Sequence, residues 1–282
     1  METVRNRIIL DKNGTLSDLT TVLENYYSLT GTINLEKTTD YLYIGQMHPF
    51  NHLYFKFDTL NTQACTLSVE TWNGSDEWHA AVEITDDTDG FTADGFITFV
   101  PDKSEFWGKE DTVDSDGTEE VTGLGDVTIY DRYWIRIATD TNLDAGTKMQ
   151  WVGNLFCTDD DIKSEFPSLL RSTYLATWEA GKTDWEEQRV RASELVIDYM
   201  IGRNIINYSG QILERQVLKN ACVSRVAALV FSAFGDDYVD DYEKTMNNFK
   251  SRMKKGVLKV DRNKDGILST QESKGRQGMM HR

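Results

Sequence analysis

The sequence predicts an α+β chain: an antiparallel β-sandwich of jelly-roll type, then an α-helical bundle, then an extended C-terminal arm. Three observations predict it. The apolar period changes from two to about 3.6 near Phe156. The charge is lopsided, with 10 basic and 27 acidic side chains in residues 1–156 against 20 and 19 in residues 157–282. Gln211–Phe234 reads as one long helix that is apolar on nearly every side in its second half, a pattern that demands burial against several partners at once. The expected domains are therefore 1–156, 157–256 and 257–282.

At 282 residues the chain has room for two ordinary domains. Glu214, Arg215, Lys219 and Arg225 interrupt the long apolar stretch and argue against a membrane span. No basic segment followed by an apolar run opens the chain, so no secretory leader is expected. Cys65, Cys157 and Cys222 are odd in number and far apart, as expected of plain thiols made in a reducing compartment. The acidic first half repels nucleic acid and keeps its surface solvated.

In order, Arg5–Leu10 is an expected strand, Asn13-Gly14 a turn, and Leu19–Tyr27 a short helix or a strand. Alternation of apolar and polar residues then predicts strands at Leu53–Asp58, Cys65–Glu70, Ala81–Ile84, Phe96–Val100, Tyr133–Ile137 and Met149–Phe156. Trp72 and Trp78 bracket an Asn73-Gly74 hairpin, and Asp86–Asp94 and Lys109–Gly125 read as acidic loops. Many short strands separated by turns give a sandwich or jelly roll.

After Phe156 the signals are helical. Thr158 with three following Asp predicts a capped helix ending near Phe166 and Pro167. Thr183–Glu186 has the form of a capping box, opening a helix with Trp185, Ala192, Val196 and Tyr199 on one stripe. The long helix then runs from Gln211 to Phe234, with Gly235 as an expected left-handed cap. A last helix starts at Asp236-Asp237 and turns Tyr238, Tyr242, Thr245, Met246, Phe249 and Met253 inward until Gly256. Val257–Val260 reads as extended.

Asp261–Glu272 matches the calcium-loop pattern D-x-[DN]-x-[DN]-G-x5-E without a mismatch. Asp261, Asn263 and Asp265 would supply side-chain oxygens, Ile267 its carbonyl, Ser269 a direct or water-bridged ligand, and Glu272 two oxygens. The flanks differ from a helix–loop–helix hand, since an extended segment precedes the loop and only ten residues follow it. A turn of Asp, Asn and Gly that holds no metal fits the same residues.

The stretches DDIKSEFPSLL, TDWEEQRVRASELVIDYMI, the long apolar helix and YVDDYEKTMNNFKSRMKKGVLKVDRNKDG follow one another in a set order. This helical half, residues 157–268, resembles the head–tail adaptor (connector) proteins of tailed bacteriophages. The resemblance implies a virion protein made in the host bacterial cytoplasm, assembled as a ring of about twelve copies beneath the portal, with DNA passing through the lumen. It implies contacts with the portal protein and with a tail or further neck protein, and none with a membrane. The C-terminal arm would dock on the portal through Lys250, Arg252, Lys254, Lys255, Lys259 and Arg262, the most basic stretch of the chain. The same charges also suit the solvated face of an amphipathic helix. Contact with DNA would be by charge, since no groove-reading motif is present. The β half departs from the simplest adaptors and would be an added outer domain.

No required cofactor and no enzyme are expected. His48 and His52 lie four apart with Pro49 between them and no HExxH acid, and no GxSxG, P-loop or GxGxxG occurs. Trp72, Trp78, Trp107 and Trp134 would serve a sugar-binding platform or, more commonly, a sandwich core. They support the alternative of a glycan-binding jelly roll on a helical stalk with a calcium loop.

Overall fold

A computed structural model describes residues 6–27, 30–74, 77–255, 260–261 and 267. The chain divides between Gly153 and Asn154 into two compact units, three residues before the boundary expected from the change of period.

The first unit is a sandwich of two antiparallel sheets. Among the described residues one sheet runs β2 (Thr15–Asp18), β1 (Asn6–Lys12), β4 (Tyr41–Gln46), β11 (Arg132–Thr139), β6 (Leu67–Trp72) and β7 (Trp78–Ala80), with β10 (Lys109–Glu110) also on β11. The other runs β3 (Gly31–Thr32), β12 (Lys148–Gly153), β5 (His52–Thr59), β9 (Gly95–Val100) and β8 (Glu83–Asp86). The chain crosses repeatedly from sheet to sheet, as a jelly-roll path does. Short helix α1 (Thr20–Leu23) sends Leu23 into the core. Asn13 and Gly14 both have positive φ, the geometry that a two-residue hairpin between Lys12 and Thr15 requires.

Alternation decides what each strand buries. Ile8 and Leu10, Leu42 and Ile44, and Ile135 and Ile137 point between the sheets to meet Leu53, Phe55, Phe57, Ile97 and Phe99. Each such side chain contributes about 1.5–3 kcal/mol on leaving water. The opposite face of the larger sheet is also covered. Ile9, Tyr43, Trp72 and Trp134 pack there against Val121, Leu124 and Ile129. The stretch expected as an acidic loop from Lys109 to Gly125 is thus part of a packed cover. Trp78 Nε1 donates to the Thr122 carbonyl at 3.0 Å, and the Thr112 hydroxyl donates to the Val127 carbonyl. Gly45 lies opposite Trp134 in the ladder, and a Cβ there would stand 2.7 Å from the indole ring.

The second unit is helical: α2 (Asp159–Glu165), α3 (Ser172–Trp178), α4 (Glu186–Gly202), α5 (Lys219–Ala233) and α6 (Val239–Lys255). Thr158 and Asp161 close a reciprocal capping box on α2, as the sequence predicts. The second expected box does not form. The Asp184 carboxylate accepts from Glu186 N at 3.0 Å and Asp159 accepts from Trp185 N at 3.2 Å, so two aspartates do that work without Thr183.

The long helix is shorter than its sequence predicts. Ser209–Gln211 and Arg215–Leu218 form separate 3-10 turns, and α5 begins only at Lys219. The reason is non-local. The Gln211 carbonyl accepts from Asp261 N, and Ile212 bridges Val260, which holds Ile212 extended between the two turns. Gly235 has φ +89° but ψ −160°, so it redirects the chain toward the Asp236–Tyr238 turn without adopting the expected left-handed cap. α5 packs on α2, α4 and α6, and Ala221, Cys222, Val223, Val226, Ala227, Ala228 and Val230 are all buried within one chain. A neighbouring subunit is not needed to explain its all-round apolar character. On α6, Thr245, Phe249 and Met253 turn inward as expected, whereas Tyr242 is exposed.

Candidate interaction surface

The six arm residues predicted to dock on the portal have separate fates. Lys250 and Lys254 are exposed on the last turns of α6. Their placement is favourable, since cations at a helix C-terminus complement its dipole while Asp240 and Asp241 occupy the first turn. Arg252 is half-buried. Its guanidinium pairs with Glu165 of α2 at 2.5 Å and donates to the Asn220 carbonyl and Ser224 hydroxyl of α5, each at 2.8 Å. Arg252 therefore ties helices together, with 32% of its side chain still exposed. Lys259, Arg262 and the side chain of Lys255 lie outside the described residues.

Glu165 is one of three acids that α2 extends to three different helices. Asp159 pairs with Arg189 of α4 at 3.3 Å, and Asp161 pairs with Lys219 at the start of α5 at 3.0 Å. Their electrostatics differ. Burial raises the Asp159 pKa despite the Arg189 charge. Burial also acts on Asp161, but hydrogen bonds from Thr158 and Lys219 prevail and lower its pKa.

After α6 the chain returns to the unit at Val260 and Asp261. Gln211 grips this point from both sides: its carbonyl accepts from Asp261 N and its side-chain amide donates to the Asp261 carbonyl, both at 2.9 Å. The Gln211 side-chain oxygen accepts from Asn207 N at 2.6 Å. The first position of the calcium-type loop is thus fixed by its main chain. Ile267 is half-buried, and Asn263, Asp265, Ser269 and Glu272 lie outside the described residues. Among the described residues no group of three or more His, Cys, Asp or Glu side chains is placed to hold a metal ion.

The acids of the first unit are occupied in a way that composition alone does not reveal. Asp86 accepts from the Thr88 and Gly90 amides, Asp140 from Thr66 N, and Asp144 from Thr62 N. Asp94 bridges Phe57 N and Lys56. Main-chain and hydroxyl hydrogen bonds hold the pKa values of Asp102 and Asp140 below the ordinary carboxylate value, and Thr62 does the same for Asp144. These carboxylates close loops.

The tryptophans considered for a sugar platform are mostly interior. Trp72, Trp107 and Trp134 are buried. Trp78 is half-buried, and its ring together with Tyr41 sandwiches the Arg136 guanidinium at 4.8 and 4.4 Å. Arg136 also pairs with Glu70, its cross-strand neighbour, at 2.5 Å. Burial outweighs that positive charge at adjacent Tyr43 and raises its phenol pKa. His52 is buried with its ring 2.7 Å from the Asn51 amide oxygen. No protein-family model matches the chain, and neither does any curated protein. Among the described residues no helix is long and apolar enough to cross a membrane.

Nothing in the sequence signals the Arg252–Glu165 pair, whose partners lie 87 positions apart. The approach of Cys157 to Cys222 was equally hidden.

Proposed function

We propose that the chain is a virion structural protein, a head–tail adaptor that assembles as a ring of about twelve copies beneath the portal and joins capsid to tail. The observation that carries this reading is the order of elements in the second unit. A capped short helix, a helix opening behind Trp185, an Ala/Val-rich α5 and a Tyr-bearing α6 lead to an extended return at Val260. Exposed Lys250 and Lys254 support a docking role for the end of α6, and the acidic β unit suits an outward-facing domain that repels DNA. DNA in the lumen would be met by charge alone. The glycan-binding alternative is less well supported, because three of its four candidate tryptophans are interior.

Native mass spectrometry of the protein mixed with purified portal tests the reading. A ring or a portal complex is expected; a strict monomer at high concentration that forms no portal complex overturns it. Replacing Lys250 and Lys254 together by Glu is expected to weaken portal binding by about tenfold while leaving the fold intact. For the loop, calorimetric titration with calcium is expected to give binding that Asp261→Ala or Glu272→Ala abolishes, and an inert wild type refutes calcium.

A further inference from the structure

Two of the three cysteines meet inside the helical unit. Cys157 lies just before α2 and Cys222 in the first turn of α5, 65 positions later, with their sulfur atoms 3.2 Å apart and both residues buried. The surroundings fix the main chain at Cys157, and helix α5 carries that of Cys222. Phe156 N donates to the Ser193 hydroxyl at 3.1 Å, and Arg189 donates to the Cys157 carbonyl at 3.4 Å. The Ser193 hydroxyl lies 3.5 Å from the Cys222 sulfur. A disulfide needs the sulfur atoms about 2.05 Å apart, so an approach of roughly 1 Å closes the bond.

We infer that Cys157 and Cys222 form a dithiol–disulfide couple that cross-links the helical unit outside a reducing compartment. The chemistry is thiol–disulfide exchange with a small disulfide such as oxidised glutathione. One cysteine, as its thiolate, attacks the small disulfide, giving a mixed disulfide and one released thiolate. The second cysteine thiolate then displaces the other half. Two protein thiols lose two electrons, the small disulfide becomes two thiols, and the two protons pass to them. The Cys157 thiol donates its hydrogen to the Cys222 sulfur and is buried, which together raise its pKa. Exchange therefore awaits opening of the unit, and the closed bond is shielded from reductants. Joining the α2 entrance to α5 over so long a loop restricts the unfolded chain. The inference does not depend on the adaptor reading.

The full chain, purified in reductant, is incubated with oxidised glutathione both natively and in mild denaturant followed by refolding. Remaining thiols are alkylated and the peptides mapped. The expected product joins the Cys157 and Cys222 peptides with the loss of two hydrogens, leaves Cys65 alkylated, and melts about 10 °C higher than the reduced form. Cys65→Ser is expected to oxidise identically. Three outcomes overturn the inference: all three cysteines alkylated in both arms, a crosslink that uses Cys65, or a Cys157–Cys222 bond that lowers the melting temperature.

Discussion

Gly45 shows how a single position in this chain is decided by a neighbour far away in sequence. Its ladder partner Trp134 lays its ring across the space a side chain would take. Gly45→Ala is expected to cost about 1–3 kcal/mol by overpacking, read as a lower midpoint in denaturant unfolding. Arg252→Ala removes a partly exposed fork on Glu165, Asn220 and Ser224, and about 1 kcal/mol is expected to be lost. Arg252→Lys should recover only part, because an ammonium cannot present two parallel donors. The loop aspartates make a pH prediction. Asp102, Asp140 and Asp144 have pKa values lower in the folded chain than their ordinary value. The stability they add is complete above their unfolded pKa of about 4 and is lost as the pH falls through the lower folded values. Acid titration followed by amide NMR should show the Thr62 and Thr66 amides shifting below pH 4, and Asp140→Asn should abolish the response at Thr66.

At the scale of elements, the sequence was legible where a segment's own residues settle its state. The capping box of α2 and the Asn13-Gly14 turn are local chemistry, and both formed as read. The strands with one wet face were also readable, except that the expected strand Ala81–Ile84 is broken: Ala81 and Val82 carry the chain from β7 in one sheet to β8 in the other. Strand β4 was not readable, because Tyr43 and Gly45 face a second core and leave Tyr41–Gln46 without the polar alternation that marks a strand. The start of α5 was misread for a related reason: Gln211 and Ile212 answer to Val260 and Asp261, and no local propensity records that. The arm was legible as a run of basic residues, but not that Arg252 would leave it to join Glu165. Since α5 is enclosed by its own chain, Ala228→Asp should cost several kcal/mol in the isolated protein, before any assembly. Lost helical circular dichroism or a collapsed melting temperature would register it.

Among the described residues each large buried cluster belongs to one unit: two to the sandwich and one to the helices. Residues 154–282 expressed alone are therefore expected to melt cooperatively with a helical spectrum, and a fragment that is unfolded by circular dichroism contradicts this. The acid excess falls almost entirely on the sandwich. Raising the salt concentration should accordingly stabilise that unit more than the helices, by screening its self-repulsion.

Helix α2 has only seven residues, too few to persist by itself in water. Through Asp159, Asp161 and Glu165 it is fastened to α4, α5 and α6 separately. Short peripheral helices ordinarily exchange their amide hydrogens by fraying. Here the amides of α2 can be released only when three independent fastenings part, so their exchange should proceed at the rate of the unit's global opening. This short helix would then serve as a gauge of how often the whole bundle comes apart.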